Sequence, residues 1–212
     1  MKRVALTQRV DAVEGRNETR DALDQRWCAL LSDLGALALP LPNRTVDVAG
    51  WCRELAIDAA ILTGGNDLVG SPGARTAAPE RDALETALLE HCLGASVPVL
   101  GVCRGMEMIN CWRGGRLAGV EGHVARRHAL TLLSPDLPWP EPAEVNSYHD
   151  VAIPLDGLGE GVEPLALAVD GTVEAMRLTG ARCHGIMWHP ERETPFVAAD
   201  VALIARVLDL AS

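Results

Sequence analysis

The sequence predicts an α/β fold: a central, mostly parallel sheet with helices on both faces and a small antiparallel extension. Two observations carry this. In the first half, short uniformly apolar runs (3–8, 37–41, 58–63 and 97–102) alternate with amphipathic stretches, as in strands buried on both faces by crossover helices. After residue 116 that alternation gives way to closely spaced strand-like runs with turn signals between them, the pattern of antiparallel pairing.

Residues 3–8 read as the first strand, followed by a polar loop to Arg16, with Asn17 placed to cap the next helix. Leu23, Trp27, Leu30, Leu31 and Leu34 form one apolar stripe of that helix, and Gly35 stands at its C′ position. A strand over 37–41 ends in Pro42-Asn43, and 48–55 reads as a short helix. The strand over 58–63 runs straight into Gly64-Gly65-Asn66-Asp67. Pro79-Glu80 opens a helix with Leu84, Leu88 and Leu89 on one face, ending near Gly94. The run 97–102 ends on Cys103, and a helix follows from Met106 to Trp112. Further on, 129–133 and 143–146 read as strands flanking a Pro-rich loop, 134–142. Asp170-Gly171, between 165–169 and 172–178, is the strongest hairpin signal in the chain. Residues 183–188 give a last buried strand and 197–210 a closing helix. With no repeat and no linker in the pattern, a single domain over 1–212 is expected.

The 212 residues carry a formal net charge of −10, which argues against a nucleic-acid footprint and an anionic membrane surface. No apolar run approaches the roughly 18 residues of a membrane span, and Met1-Lys2-Arg3 is followed by too short an apolar run for a secretory segment. Six cysteines without a C-x-x-C pair do not make a disulfide framework, so a reduced, cytoplasmic protein is expected. Cys28, Cys52, Cys92, Cys111 and Cys183 read as small buried hydrophobes. His123 with His128 on a helix face, or His184 with His189, are the candidate metal pairs. Neither has a third ligand at clear spacing, so neither a metal nor a cofactor is expected.

The chemistry centres on Cys103. Gly101 and Gly105 flank it where an apolar strand meets a helix, making a nucleophile elbow with Cys in the place of Ser. The helix N-terminus beside the sulfur favours thiolate over thiol. A thiolate attacking a carbonyl carbon needs a base and oxyanion donors. His189 and Glu191, two apart on an extended segment, face one side, so Glu191 can orient His189 as base. Gly64-Gly65, at the end of a parallel strand, can turn an N–H toward the oxyanion, and the Arg104 N–H at the helix start supplies a second.

Gly101-Val-Cys103-Arg-Gly105-Met-Glu107, Gly64-Gly65-Asn66-Asp67, Val145-Asn-Ser-Tyr-His149 and Gly185-Ile-Met-Trp-His189-Pro-Glu191 together resemble the class I glutamine amidotransferase superfamily, within it the γ-glutamyl hydrolase branch. The resemblance runs from about residue 3 to 191. It implies a flavodoxin-like domain that hydrolyses a γ-glutamyl amide through a thioester, with Cys103, His189 and Glu191 as triad and Gly65 and Arg104 as oxyanion hole. Gly64, Asn66, Ser147, Tyr148 and His149 fall on its substrate-binding motifs. Two departures stand out. Glu107 replaces the usual Gln four residues after the nucleophile, where a carboxylate can meet the α-ammonium of a glutamyl group. His149-Asp150 replaces the common His-His. Thr7-Gln-Arg-Val10, Glu18 to Trp27 and Leu39 to Asn43 further resemble a compact subgroup found with surface-polysaccharide biosynthesis, which hydrolyses γ-glutamyl-CDP-amidate. Arg9 and Arg16 would then meet the diphosphate. The implied partner is this small γ-glutamyl molecule. A homodimer, or a partner enzyme to which this chain supplies ammonia as a glutaminase subunit, stays open. So does a γ-glutamyl-γ-aminobutyrate-type hydrolase. The intact Cys-His-Glu set argues against a catalytically silent binding protein.

Overall fold

The structure is a computed structural model describing residues 1–135, 137–139 and 143–210. In chain order it contains β1 (Lys2–Thr7), β2 (Arg9–Ala12), β3 (Thr19–Ala22), α1 (Arg26–Asp33), β4 (Ala36–Leu41), α2 (Val48–Glu54), β5 (Ala59–Leu62), α3 (Pro79–Gly94) and β6 (Val99–Val102). Then follow α4 (Arg104–Trp112), β7 (Ala118–Gly119), β8 (Val124–Leu132), β9 (Ala143–Tyr148), β10 (Val151–Pro154), β11 (Val162–Ala168), β12 (Thr172–Leu178), β13 (Cys183–Ile186) and α5 (Ala198–Val207). Within the expected loop 134–142, residues 136 and 140–142 lie outside the described residues.

The main sheet runs β4-β1-β5-β6-β13-β12-β11-β8-β9. Its first five strands pair in parallel and the rest antiparallel. The parallel strands are short and wholly apolar where they are most buried, as Ala59–Leu62 and Val99–Val102 illustrate. From β1 the chain crosses outward to β4, then returns past β1 to β5 and β6. Right-handed crossovers therefore place α1 on one face and α3 on the other. Where that winding reverses, the carboxyl ends of β1 and β5 leave a crevice. Cys103 follows β6, Gly64 follows β5 and His189 follows β13, so all three open on the same edge of the sheet.

The expected polar loop to Arg16 is instead a separate two-stranded sheet, β2-β3, with Arg9 opposite Ala22 and Val10 opposite Asp21. Alternating side chains and the turn near Gly15 suit a hairpin, so Asn17 lies in the turn and caps nothing. The helix starts later, at Arg26, whose N–H donates to the Asp24 side chain. Trp27, Leu30 and Leu31 still form its buried stripe, which leaves Cys28 exposed and so outside the set of buried cysteines expected; Cys111 is half-buried. His123 and His128 belong to a strand and its approach rather than to a helix, because 124–132 pairs with 143–148. Among the described residues no helix is long and apolar enough to cross a membrane.

Candidate active site

Between β6 and α4 the backbone turns so sharply that Cys103 takes φ 54° and ψ −112°. Such a conformation is strained for a residue with a side chain and persists only where its surroundings enforce it. Here the Cys103 N–H donates to Ile186 O (2.8 Å), while its carbonyl accepts from Met106 and Glu107. A side chain at Gly105 would begin 2.0 Å from Leu62 O, so only glycine lets α4 start this close to β5. The Arg104 N–H meets the Cys103 sulfur.

That sulfur is buried, and burial, with the Glu107 carboxylate next in weight, pushes its thiol well above the usual range. This corrects the expectation of a thiolate stabilised by the helix end. The Arg104 N–H lowers the thiol, but by less than desolvation raises it. Burial thus favours the neutral thiol of Cys103 in the free protein.

His189, the base the sequence leads one to expect, follows β13 at the same edge of the sheet. Its Nδ1 lies 2.7 Å from Glu191 Oε1, and both residues are almost fully buried. The segment is a short 3-10 turn, Pro190–Arg192, rather than extended chain; the turn still folds the carboxylate under the ring. Upstream, the buried Trp188 donates its indole N–H to Asp200 Oδ1 (2.8 Å), fixing the end of β13. Asn146 clamps the backbone of His189 from both sides, accepting from its N–H at 2.9 Å and donating to its carbonyl at 2.8 Å. The Tyr148 ring stands edge-on to the imidazole at 5.8 Å.

Gly64 lies between Cys103 and the His189 ring. A side chain there would begin 2.6 Å from His189 Cε1 and 3.5 Å from both His189 Nε2 and Cys103 Cβ. Gly64→Ala should therefore displace the imidazole and lower kcat/KM at least about 100-fold, the scale of an ångström-sized misplacement. Steady-state kinetics on folded variant protein checks this, and a change of only a few-fold would separate Gly64 from the reacting pair.

The loop that Gly64 belongs to is held by a group that the sequence did not mark out. Arg81, fully buried on α3, donates to the carbonyls of Thr63 (2.6 Å), Gly64 (3.2 Å) and Gly65. Arg81 pairs with Glu85 at 2.9 Å, and Glu85 also receives the Arg104 guanidinium, whose other end reaches Asp82. A signal exists in the helix itself: 81, 84, 85, 88, 89 and 92 form one helical stripe, and two of its members are charged.

Two adjoining cavities share Gly65, His189 and Arg192. The inner one, about 140 Å³, is lined by Cys103, Arg104, Glu107, Tyr148 and His149 among others. Burial raises the Glu107 carboxyl to about 7, against the opposing pull of His149. The outer one, about 260 Å³, is lined by Arg9, Trp27, Gly64 and Glu191 among others. Arg9 lies against Gly65 there. Arg192, not anticipated, lies 4.4 Å over the Tyr148 ring, between the two cavities.

The other expected site residues divide. Asn66 is at the site, but Val10 engages both ends of its amide, donating to Oδ1 (2.7 Å) and accepting from Nδ2 (2.9 Å), which fixes the side chain toward β2. Ser147 points into the interior, fully buried. Arg16 is a correction: it sits at the exposed end of the β2-β3 hairpin, 3.9 Å from Glu18, and lines neither cavity. His149 borders the inner cavity while its ring joins His123, His128 and Glu174. Glu174 thus gives the histidine pair the third donor that no sequence spacing indicated.

The chain is 34% identical to γ-glutamyl-CDP-amidate hydrolase of Campylobacter jejuni, over 90% of each chain. It is 28% identical to the glutamine-hydrolysing GMP synthase of Bifidobacterium longum over 76% of its own length, spanning 31% of that relative. A glutamine amidotransferase structure from Thermotoga maritima superposes with a TM-score of 0.65 at 13% identity, covering 98% of this chain and 84% of that one. The fold is the flavodoxin-like α/β fold of glutamine amidotransferases. Residues 4–191 match the Peptidase C26 family, and the chain belongs to it.

Proposed function

We propose that this chain is a γ-glutamyl hydrolase acting from one domain, 1–212, in the cytoplasm, with Cys103 as nucleophile, His189 as acid-base and Glu191 holding the imidazole. The observation that carries the reading is the His189–Glu191 pair aimed, across Gly64, at a cysteine on a strained elbow. His189 Nε2 takes the Cys103 proton as Sγ attacks the γ-carbonyl carbon, and the oxyanion is met by the N–H groups of Gly65 and Arg104. The same proton passes to the leaving nitrogen as the C–N bond breaks, leaving a γ-glutamyl thioester. Water, losing a proton to His189, then releases L-glutamate and the free thiol.

The substrate proposed is γ-L-glutamyl-CDP-amidate or a related γ-glutamyl nucleotide of surface or capsular polysaccharide biosynthesis. Three things support it: the Campylobacter relative, Glu107 in a small inner cavity, and Arg9 beside a larger outer one. Glu107 faces the α-ammonium, while backbone of 147–149 serves the rest of the glutamyl head. Arg9 meets the diphosphate. Removing a charge-assisted hydrogen bond costs about 1.5–3 kcal/mol, or roughly 10- to 150-fold. Arg9→Ala should raise KM for the nucleotide substrate by that order and hardly affect a small uncharged γ-glutamyl amide, with Arg16→Ala silent on both. Glutamate release measured on both substrates tests it. Equal losses on the two would make Arg9 a scaffold residue, and no release from the nucleotide would remove this substrate.

The GMP synthase relative favours a second reading, a glutaminase subunit supplying ammonia to a separate synthetase. Free glutamine turned over faster than any γ-glutamyl nucleotide would select it.

A further inference from the structure

Away from Cys103, the antiparallel half of the sheet gathers a second set of chemically active side chains. Glu174 on β12 is fully buried. His128 on β8 places Nε2 3.3 Å from its Oε2, and His149, just past β9, places Nε2 3.4 Å from its Oε1. His123, ahead of β8, brings Nδ1 to 3.3 Å from His149 Nε2 and 3.9 Å from Glu174 Oε1. Yet both Glu174 oxygens and His128 Nε2 are buried without a hydrogen bond of good geometry.

The outward nitrogens explain what this centre lacks. His149 Nδ1 is 2.9 Å from the carbonyl of Val151, which can only accept, so Nδ1 carries the proton and Nε2 a lone pair. His123 Nε2 is 2.9 Å from Asp170 Oδ2, so by the same reasoning Nδ1 of that ring is the lone-pair atom. In the neutral rings two lone pairs thus face each other beside a buried carboxylate, and a cation, a proton or a metal ion, belongs between them.

We propose that His123, His128, His149 and Glu174 form a binding site for a divalent transition-metal ion, Zn²⁺ in preference to Mg²⁺ or Ca²⁺. Bonds of about 2.0–2.1 Å in a tetrahedron put neighbouring ligand atoms about 3.3 Å apart, close to three of the four separations above. Imidazole donors select zinc-like ions over hard, oxygen-seeking ones. Each inner nitrogen of His123 and His149 is backed by an acceptor on its outer one, the usual support for a metal-bound imidazole. The ion would tie β8, β9 and β12 together behind the inner cavity, which His149 also borders.

The test uses chelator-treated full-length protein carrying Cys103→Ser, so that the buried thiol near the cavity is not a ligand, titrated with Zn²⁺ and with Co²⁺. The expected result is one ion per chain, a tetrahedral Co²⁺ spectrum without thiolate charge transfer, and a Tm raised by about 5–10 °C at a hundredfold excess over Kd. His123→Ala should abolish binding. Asp170→Asn, which touches no ligand directly except through the outer nitrogen of His123 and lies on the surface, should weaken it about 10- to 100-fold while leaving the circular dichroism unchanged. No stoichiometric binding would overturn the proposal and leave the cluster as a proton-sharing network. So would thiolate bands, or the same affinity in Asp170→Asn and in the parent protein.

Discussion

Cys103→Ala should lower hydrolysis by at least about 10⁴-fold, because the covalent mechanism proposed above loses its nucleophile outright. Its fold should survive: the substitution removes one buried atom, and the elbow is enforced by its neighbours. Ile186 O still receives the N–H of residue 103, and Gly105 still lies against Leu62 O. Cys103→Ser should be nearly as inactive, since a hydroxyl in a pocket that already disfavours the thiolate is harder still to ionise. Initial rates together with a thermal melt decide the matter. Turnover above about one-hundredth of the parent rate in Cys103→Ala, with an unchanged melt, would move the nucleophile elsewhere. Acid-quenched parent enzyme should carry a γ-glutamyl adduct on the peptide that contains Cys103.

Glu85→Gln should cost about 3–5 kcal/mol of stability, the usual penalty for leaving a buried charge without its partner. For a chain this long, that lowers Tm by roughly 6–20 °C. The reason is geometric: two guanidiniums, Arg81 and Arg104, converge on one fully buried carboxylate. Burial alone would raise the Glu85 carboxyl, but Arg104 and Arg81 outweigh it and hold it below the usual range. The sign follows. A depressed folded-state value contributes stability that is complete above the ordinary glutamate range and is lost as pH falls through the folded value. Acid titration of parent and variant should therefore converge at low pH. Denaturation differing by less than about 0.5 kcal/mol at neutral pH would show that Asp82 alone suffices to balance the pair. Activity should fall as well, since Arg81 orients the carbonyls of Thr63, Gly64 and Gly65.

The parallel half of the fold was legible in the sequence because each buried strand is a continuous apolar run and each helix carries one stripe. The helix over 79–94 and the hairpin around Asp170-Gly171 were readable for local reasons, proline at a helix start and glycine at positive φ. Cys103, His189 and Glu191 could be singled out as candidates because a short motif surrounds each, and the fold carries all three to one edge of the sheet. Misread features depend on distant chain. Nothing near 9–22 distinguishes a polar loop from a hairpin whose faces are both half-open to water. Arg81 looks like a surface residue until three carbonyls of another loop arrive beside it. His123, His128, His149 and Glu174 span more than fifty residues and meet only through strand pairing. The thiol of Cys103 was misjudged because a helix end is visible in sequence and the depth of burial is not.

Among the described residues the β2-β3 hairpin pairs with no strand of the main sheet. Polar hooks dock it: Asp21 accepts from the side chain and the backbone N–H of Asn43, and Asn66 brackets Val10. Selection can therefore rework the face carrying Arg9 with little disturbance to the sheet behind it, while Asn66 keeps that face registered on the loop of Gly64 and Gly65. Under the proposed function, leaving-group preference and bond-breaking chemistry are then separately heritable traits, and exchanging one surface flap changes the first without the second.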